Sequence, residues 1–204
     1  MSIFKSFLSK VCFVFLLVTG YAQAVPLDVG TWNNGGCCSD MTRGYWFTAP
    51  TAFTITGLNV PTNGNGTGAT LEVLRLNSTP NNWPSTTNSF SQLGFWSGLT
   101  SVTTNISFNT GDVVGILGWA DGQTPYGQGD YVTSLGGFAI TLTRFGFQDL
   151  GQAHDVWSEP GGSIGVIGMD YVLGNGNQVP EPASLALLGL GLVGLVVSRR
   201  RKIA

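Results

Sequence analysis

Basic residues are nearly absent from the middle of this 204-residue chain. Between residues 25 and 180 there is no lysine, and three arginines stand against ten acidic residues, so this segment carries a net charge of −7. A nucleic-acid-binding protein needs a basic surface to neutralise phosphates, and this composition argues against that class. Only 10% of all residues are charged, which is also too few for a disordered polyelectrolyte.

Patterns that indicate catalysis are scarce as well. A Ser-His-Asp triad would have to use His154, the only histidine, and we identify no serine in the context of a nucleophile elbow. Paired carboxylates for glycoside hydrolysis stay open, because sequence spacing cannot show which acids face each other across a cleft. The candidates are Asp112, Asp121, Asp130, Asp149, Asp155, Glu159 and Asp170. We predict no catalytic residue and no cofactor.

Residues 1–24 have the pattern of a secretory signal peptide. Two lysines precede an apolar stretch at residues 11–20, which suits a signal helix but is too short to span a bilayer. Ala22 and Ala24 then supply the small residues that signal peptidase accepts. We predict cleavage after Ala24 and a mature chain that begins at Val25, the alternative being a buried core helix.

Residues 179–204 combine three features in a fixed order. Pro180, Glu181 and Pro182 interrupt regular structure, because proline fixes φ and constrains the residue before it. An uncharged apolar segment follows, which predicts a transmembrane helix over about residues 183–198, and a basic cluster ends the chain. Since such clusters stay in the cytoplasm, residues 25–180 are expected on the outer side of the membrane.

This order of Pro-Glu-Pro, apolar helix and arginine cluster resembles the PEP-CTERM sorting signal of exported bacterial proteins. The resemblance implies that a membrane-embedded exosortase recognises Pro180, Glu181 and Pro182 and cuts the chain near them. It also implies that the protein, anchored in the inner membrane during processing, is then delivered to the surface of a Gram-negative cell, commonly with exopolysaccharide or biofilm matrix. The alternative is a permanent tail anchor that is never cut.

The region between the two signals, residues 25–178, has the pattern of an all-β domain. Apolar and polar residues alternate over 102–108 and 138–143, whereas the continuous apolar run at 113–119 suits a strand buried on both faces. About eight short strands separated by turn residues predict an antiparallel, jelly-roll-like β-sandwich. The other predicted strands are 44–48, 52–60, 69–76, 90–96 and 163–172. In strand 52–60 the apolar phase switches after Gly57, which predicts a β-bulge.

Cys37 and Cys38 are adjacent in the sequence. Outside the cytoplasm free thiols tend to be oxidised, but consecutive Cα atoms lie ~3.8 Å apart, so these two can close only a strained vicinal ring. A vicinal disulfide, intermolecular bridges and free thiols all stay open. Two cysteines without further ligands nearby do not predict a zinc site.

Three aromatic residues are candidates for sugar binding, namely Trp83, Tyr126 and Tyr131. Sugar rings stack on Trp and Tyr while neighbouring amides and hydroxyls bond the sugar hydroxyls, although core packing or loop anchoring explains each of the three equally well. Residues 121–131 read as a Gly- and Gln-rich loop, in which Asp121 and Asp130 could ligate calcium. Their spacing does not match an EF-hand, so we expect solvated turn residues and no metal site.

These patterns together predict an exported, non-catalytic protein of the cell surface or extracellular matrix with weak carbohydrate affinity. Segments 43–50, 53–58 and 111–118 resemble uncharacterised modules of other exported PEP-CTERM proteins, and this likeness implies no activity. The expected partners are signal peptidase, exosortase, exopolysaccharide and, through the tail helix before processing, the membrane. The alternatives are a secreted glycoside hydrolase that uses carboxylates and an uncleaved single-pass membrane protein.

Overall fold

The described part of the chain is built from antiparallel β-strands. The computed structural model describes residues 23–32, 36–37, 41–62, 68–122 and 124–174. Within these ranges the chain forms no α-helix, and therefore none long and apolar enough to cross a membrane. The prediction of an all-β, antiparallel domain is confirmed. The predicted signal helix and tail helix lie outside the described residues.

The strands are short and follow one another closely along the chain. In order they are β1 Val25–Pro26, β2 Gly36–Cys37, β3 Thr42–Thr48, β4 Phe53–Asn59, β5 Ala69–Leu76, β6 Phe90–Ser97, β7 Ser101–Phe108, β8 Val113–Ala120, β9 Thr124–Gly129, β10 Tyr131–Leu135, β11 Phe138–Phe147, β12 Trp157–Glu159, β13 Ser163–Gly165 and β14 Gly168–Leu173.

The strands form a smaller sheet, a larger sheet and a short accessory sheet. The smaller sheet has the order β1-β14-β4-β7, and the larger one has the order β10-β11-β3-β8-β5-β6 with β12 paired to β11. The accessory sheet has the order β13-β9-β2. Every pairing between these strands is antiparallel.

The smaller and larger sheets share one apolar core. Phe47 of β3 contacts Phe53 of β4 with ring centroids 6.0 Å apart, and Phe53 stacks on Phe108 of β7 at 5.4 Å. The hydroxyl of Tyr45, which is fully buried, donates a hydrogen bond of 2.9 Å to the carbonyl of Ile167. Alternation along each strand sends every second side chain to this shared side. The finer prediction of a jelly-roll-like sandwich stays a prediction.

A second apolar cluster covers the opposite side of the larger sheet, which we call its outer face. Its members are Leu74, Leu76, Leu117, Phe145, Phe147, Val156 and Trp157. The segment before β12 lies over this cluster and is bonded to the loop after β5, since Thr87 and Val156 exchange backbone hydrogen bonds of 2.9 and 3.1 Å. The central strands β5 and β8 are therefore buried on both faces, as predicted for residues 113–119.

Most predicted strands lie where the alternation placed them. Residues 69–76 coincide with β5, and the β-bulge predicted in strand 52–60 is confirmed by the register shift between Ile55 and Gly57. Residues 163–172 were predicted as one strand, and this is wrong, because the chain leaves the accessory sheet at Gly165 and joins the smaller sheet at Gly168.

The prediction of a loop over residues 121–131 is wrong. Residues 124–129 form β9, the middle strand of the accessory sheet, and Tyr131 begins β10. The glycines of β9 interrupt the alternation of apolar and polar residues by which a strand is recognised in a sequence. Close packing nevertheless requires a glycine here. A Cβ on Gly127 would come within 2.6 Å of the side chain of Val166.

Candidate functional site

Trp83 is an exposed indole that is held in place on one side. It lies in the loop between β5 and β6, and 53% of its surface is exposed. Its backbone N–H donates a hydrogen bond of 3.0 Å to the carbonyl of Ser158 in β12. Its ring contacts that of Trp157, with centroids 4.7 Å apart. One face of the indole is thus fixed by protein contacts while the rest meets solvent.

Trp157 supports Trp83 from beneath. It is 3% exposed, and it contacts both Trp83 and the guanidinium of Arg43, which lies 5.0 Å from its ring centroid. Its indole N–H donates a hydrogen bond of 2.8 Å to Oε1 of Glu159. A buried tryptophan with its N–H satisfied is a rigid support.

Glu159 continues this chain of contacts to Tyr126. Its Oε2 lies 2.9 Å from Nε of Arg144, which is the residue paired with it across β11 and β12. Arg144 donates a hydrogen bond of 3.0 Å to the hydroxyl of Tyr126 and lies 4.9 Å from the centroid of that ring. Trp83 and Tyr126, 43 positions apart in the sequence, are therefore joined through three intermediate side chains. We call the set Trp83, Trp157, Glu159, Arg144 and Tyr126 the Trp83 site.

Arg43 adds a buried positive charge next to the Trp83 site. It is 3% exposed, and its guanidinium donates hydrogen bonds to the carbonyls of Thr42 and Phe147 and to Oε1 of Gln148. Burial, which penalises the charged form, lowers the pKa of Arg43 below its ordinary value. Two of the three arginines between residues 25 and 180 thus lie at this end of the larger sheet.

Tyr131 lies apart from the other two predicted aromatics. Its hydroxyl donates a hydrogen bond of 2.8 Å to Oδ2 of Asp28, and this bond raises the pKa of Tyr131. Its ring packs against the core that the smaller and larger sheets share. Trp83 and Tyr126 are therefore connected through a chain of side-chain contacts, whereas Tyr131 bonds Asp28 and lies outside that chain.

Most of the candidate carboxylates already have partners. Asp112 pairs with Arg75 at 3.1 Å, and Asp130 accepts a hydrogen bond of 2.6 Å from the backbone of Gly161. Asp149 and Asp155 lie on the two sides of the exposed His154, each with a carboxylate oxygen 3.5 Å from a ring nitrogen. Backbone N–H groups of Gly151 and Leu150 lower the pKa of Asp149. Asp170, by contrast, lines a cavity.

Glu72 is an acidic residue that the sequence reasoning did not select. It is 1% exposed on the outer face of β5, where it accepts hydrogen bonds of 2.6 Å from Gln92 and of 3.1 and 3.2 Å from the N–H of Ala153. Burial raises the pKa of Glu72. The available signal was an acid within a strand whose other residues are mostly apolar, ATLEVLRL.

Residues 161–165 match the letters of a G-x-S-x-G motif, which the sequence reasoning passed over. Ser163 lies within β13, a strand paired with β9, rather than at a turn from a strand to a helix. A nucleophile elbow needs that sharp turn to expose the hydroxyl. The local structure therefore does not support Ser163 as a nucleophile.

The remaining predicted sites fall partly or wholly beyond the described ranges. Cys38, Ala22 and the Pro180-Glu181-Pro182 motif lie outside the described residues, and for Cys37 the structure describes its place in β2. Ala24 is exposed at the start of β1. Among residues 23–32, 41–62, 68–122 and 124–174, no group of three or more His, Cys, Asp or Glu residues could hold a metal ion.

Comparison with known proteins locates one motif. The family model of the PEP-CTERM protein-sorting motif matches residues 178–202 and confirms the resemblance found in the sequence. No curated protein and no solved structure matches the chain. The chain carries a PEP-CTERM sorting motif, which supports an exported protein that an exosortase sorts.

Proposed function

We propose that this chain is a non-catalytic, exported protein of the cell surface or extracellular matrix that binds carbohydrate weakly through the Trp83 site, on a β-sandwich. The sorting motif at residues 178–202 supports export and processing at the membrane. The matrix as destination, and carbohydrate as ligand, belong to the proposal.

The observation that carries the proposal is the rigid exposure of Trp83. An exposed tryptophan normally loses side-chain freedom when a ligand stacks on it, and that loss weakens binding. For Trp83 this freedom is already restricted on one side, because its ring contacts that of Trp157 and its backbone N–H bonds the carbonyl of Ser158. A flat apolar surface held in one orientation suits the apolar face of a sugar ring.

Other polar groups of the Trp83 site suit the rest of a sugar. Glu159 and Arg144 are partly exposed and offer carboxylate and guanidinium groups for hydroxyls. A few placed polar groups beside an aromatic surface are what ligand sites use to fix orientation. Weak affinity is expected, since one stacked ring and a few hydrogen bonds must offset the cost of association.

Substitution of Trp83 tests the proposal. The Trp83→Ala variant of the exported protein should lose about tenfold or more of its affinity for polysaccharide, because the stacking surface is removed. Phe138→Ala is the matched control, since Phe138 is 55% exposed but lies on β11 at the hairpin with β10. Affinity electrophoresis against a panel of matrix polysaccharides measures both. Equal affinity of wild type and Trp83→Ala would refute the role of the site.

The hydrolase alternative has one structural feature in its favour. Asp149, His154 and Asp155 form an exposed group of ionisable side chains. Incubation of the exported protein with the same polysaccharide panel should release no reducing ends. Turnover that disappears in Asp149→Asn or Asp155→Asn would replace the binding function with a hydrolytic one.

The fate of the tail separates an exosortase product from a permanent anchor. Mass spectrometry of protein recovered from the cell surface should find a C-terminus close to Pro182. A chain that still ends at Ala204 in surface material would support the single-pass alternative instead.

A further inference from the structure

A groove crosses the exposed side of the smaller sheet. Its volume is about 610 Å³, within the range of small-molecule sites. Strands β4, β7 and β14 form it, and Asn59, Ser101, Thr103 and Asp170 are among its lining residues. These side chains point away from the shared core, since Asn59 and Asp170 are exposed between buried neighbours on their strands.

Two glycines are the strand partners of the polar residues in this groove, and one of them, Gly57, lines it. Gly57 of β4 is paired with Asp170 of β14, and a Cβ on Gly57 would lie 3.1 Å from Oδ2 of that carboxylate. Gly168 of β14 is paired with Asn59 of β4, whose side chain occupies the space that a Cβ on Gly168 would need. Each polar side chain therefore lies across a glycine of the neighbouring strand.

The carboxylate and the amide in the groove have spare hydrogen-bonding capacity. Within the part of the chain that the structure describes, the side chains of Asp170 and Asn59 form no hydrogen bond or ion pair with protein, and no basic residue lines the groove. A carboxylate accepts hydrogen bonds, whereas an amide both donates and accepts them. Adjacent hydroxyls of a sugar match this set, while an acidic sugar would meet the charge of Asp170 without a compensating cation.

We propose that this groove is a second saccharide site, which binds a neutral sugar residue through Asp170 and Asn59. The inference deepens the proposed function and rests on it in one respect, that the ligand is a polysaccharide. The groove and the Trp83 site lie on different sheets, so one chain can hold two polymer strands and cross-link them. Cleavage after Ala24, which also lines the groove, would open it further at that end.

Stoichiometry tests the second site. Titration of the exported protein with a neutral glucan oligosaccharide should give two equivalents per chain for wild type. Asp170→Ala and Asn59→Ala should each leave one equivalent, with at least about a tenfold loss of affinity at the groove. Trp83→Ala should also leave one equivalent, bound at the groove. Phe138→Ala, which changes an exposed side chain outside both sites, is the matched control, and thermal unfolding midpoints verify that each variant is folded.

The outcomes separate this inference from the proposed function. One equivalent in wild type that Trp83→Ala abolishes, with Asp170→Ala unaffected, would refute the groove and leave the Trp83 site intact. No binding to any oligosaccharide would refute both. A uronate oligosaccharide that binds the groove as tightly as the neutral one would refute the assigned ligand class. Precipitation of soluble polysaccharide by wild type, but by neither single-site variant, would support cross-linking.

Discussion

The outward sides of the larger sheet and the smaller sheet differ, because the first is covered by protein and the second is exposed. On the larger sheet, Leu117, Phe145 and Phe147 point outward, and the segment that ends in β12 covers them. On the smaller sheet, Asn59 and Asp170 point outward and remain exposed. Apolar side chains on an outward face must be covered, whereas polar ones can stay in water and meet a ligand.

The two candidate sites arise from this difference. Covering the larger sheet brings the loop after β5 against β12, and those contacts orient Trp83. The groove on the smaller sheet needs no cover, because its outward side chains are polar. Glycine on one strand leaves room for each polar side chain on the next strand. The Trp83 site therefore depends on packing between the loop and β12, whereas the groove depends on glycines that leave space on the sheet. Substitutions at the two sites should therefore lower the free energy of unfolding by different amounts.

The largest effect is expected where packing makes the site. Trp157→Ala should lower the free energy of unfolding by about 3–5 kcal/mol, because it removes a buried ring that supports both the outer cluster and Trp83. Urea unfolding measures the loss. Trp157→Phe should lose less, since it keeps most of the apolar contact and gives up the bond to Glu159. A loss below about 1 kcal/mol for the alanine variant would mean that the cover contributes little.

An intermediate effect, dependent on pH, is expected at Glu72. Its pKa is raised in the folded state, so folding favours its protonated form, and this contribution is complete below the ordinary value of 4.5 and is lost as the pH rises through the folded pKa. Relative to Glu72→Gln, the wild type should therefore lose unfolding free energy as the pH rises from 4.5.

Urea titrations at a series of pH values measure the difference between these two chains. The measurement below pH 4.5, where both side chains are neutral, is the internal control. A difference that stays constant with pH would show that the outer face of the larger sheet tolerates the charge of Glu72.

The smallest effect on stability is expected in the groove. Gly57→Ala should change the free energy of unfolding by less than about 1 kcal/mol, because the one close contact of its Cβ would be the end of the Asp170 side chain at 3.1 Å, while the carbonyl of Val102 lies at an ordinary contact distance of 3.5 Å. It should nevertheless weaken saccharide binding at the groove. Gly44→Ala is the contrasting variant, since its Cβ would overlap the backbone carbonyl of Ile116 in the covered sheet and should destabilise the fold severely. If Gly57→Ala and Gly44→Ala lost equal unfolding free energy, the proposed difference between the exposed smaller sheet and the covered larger sheet would be wrong.

Regular alternation made much of the fold predictable. The ends of β5 and the bulge next to Gly57 follow from the spacing of apolar residues, and the position of β8 follows from a continuous apolar run. Strand β9 was missed because its partners lie far away in the sequence. Its Gly and Pro residues fit a backbone packed against β13 and β2, and a local pattern does not contain that information.

The sites were less predictable than the strands. Composition alone drew attention to Trp83, Tyr126 and Tyr131, but it could not show that two of them are linked and that the third anchors Asp28. Asp170 was one acid among seven candidates until the sheet placed it beside Asn59. Glu72 was hidden in an apolar strand.

By itself, the sequence determined the sorting motif and the all-β class, because both depend on the order and local spacing of residues. Only the tertiary structure decided which outward face is covered, which aromatic ring is left exposed and which acid lies free in a groove. These properties depend on contacts between residues as distant as Trp83 and Trp157 or Asn59 and Asp170, which come together only when the strands pair.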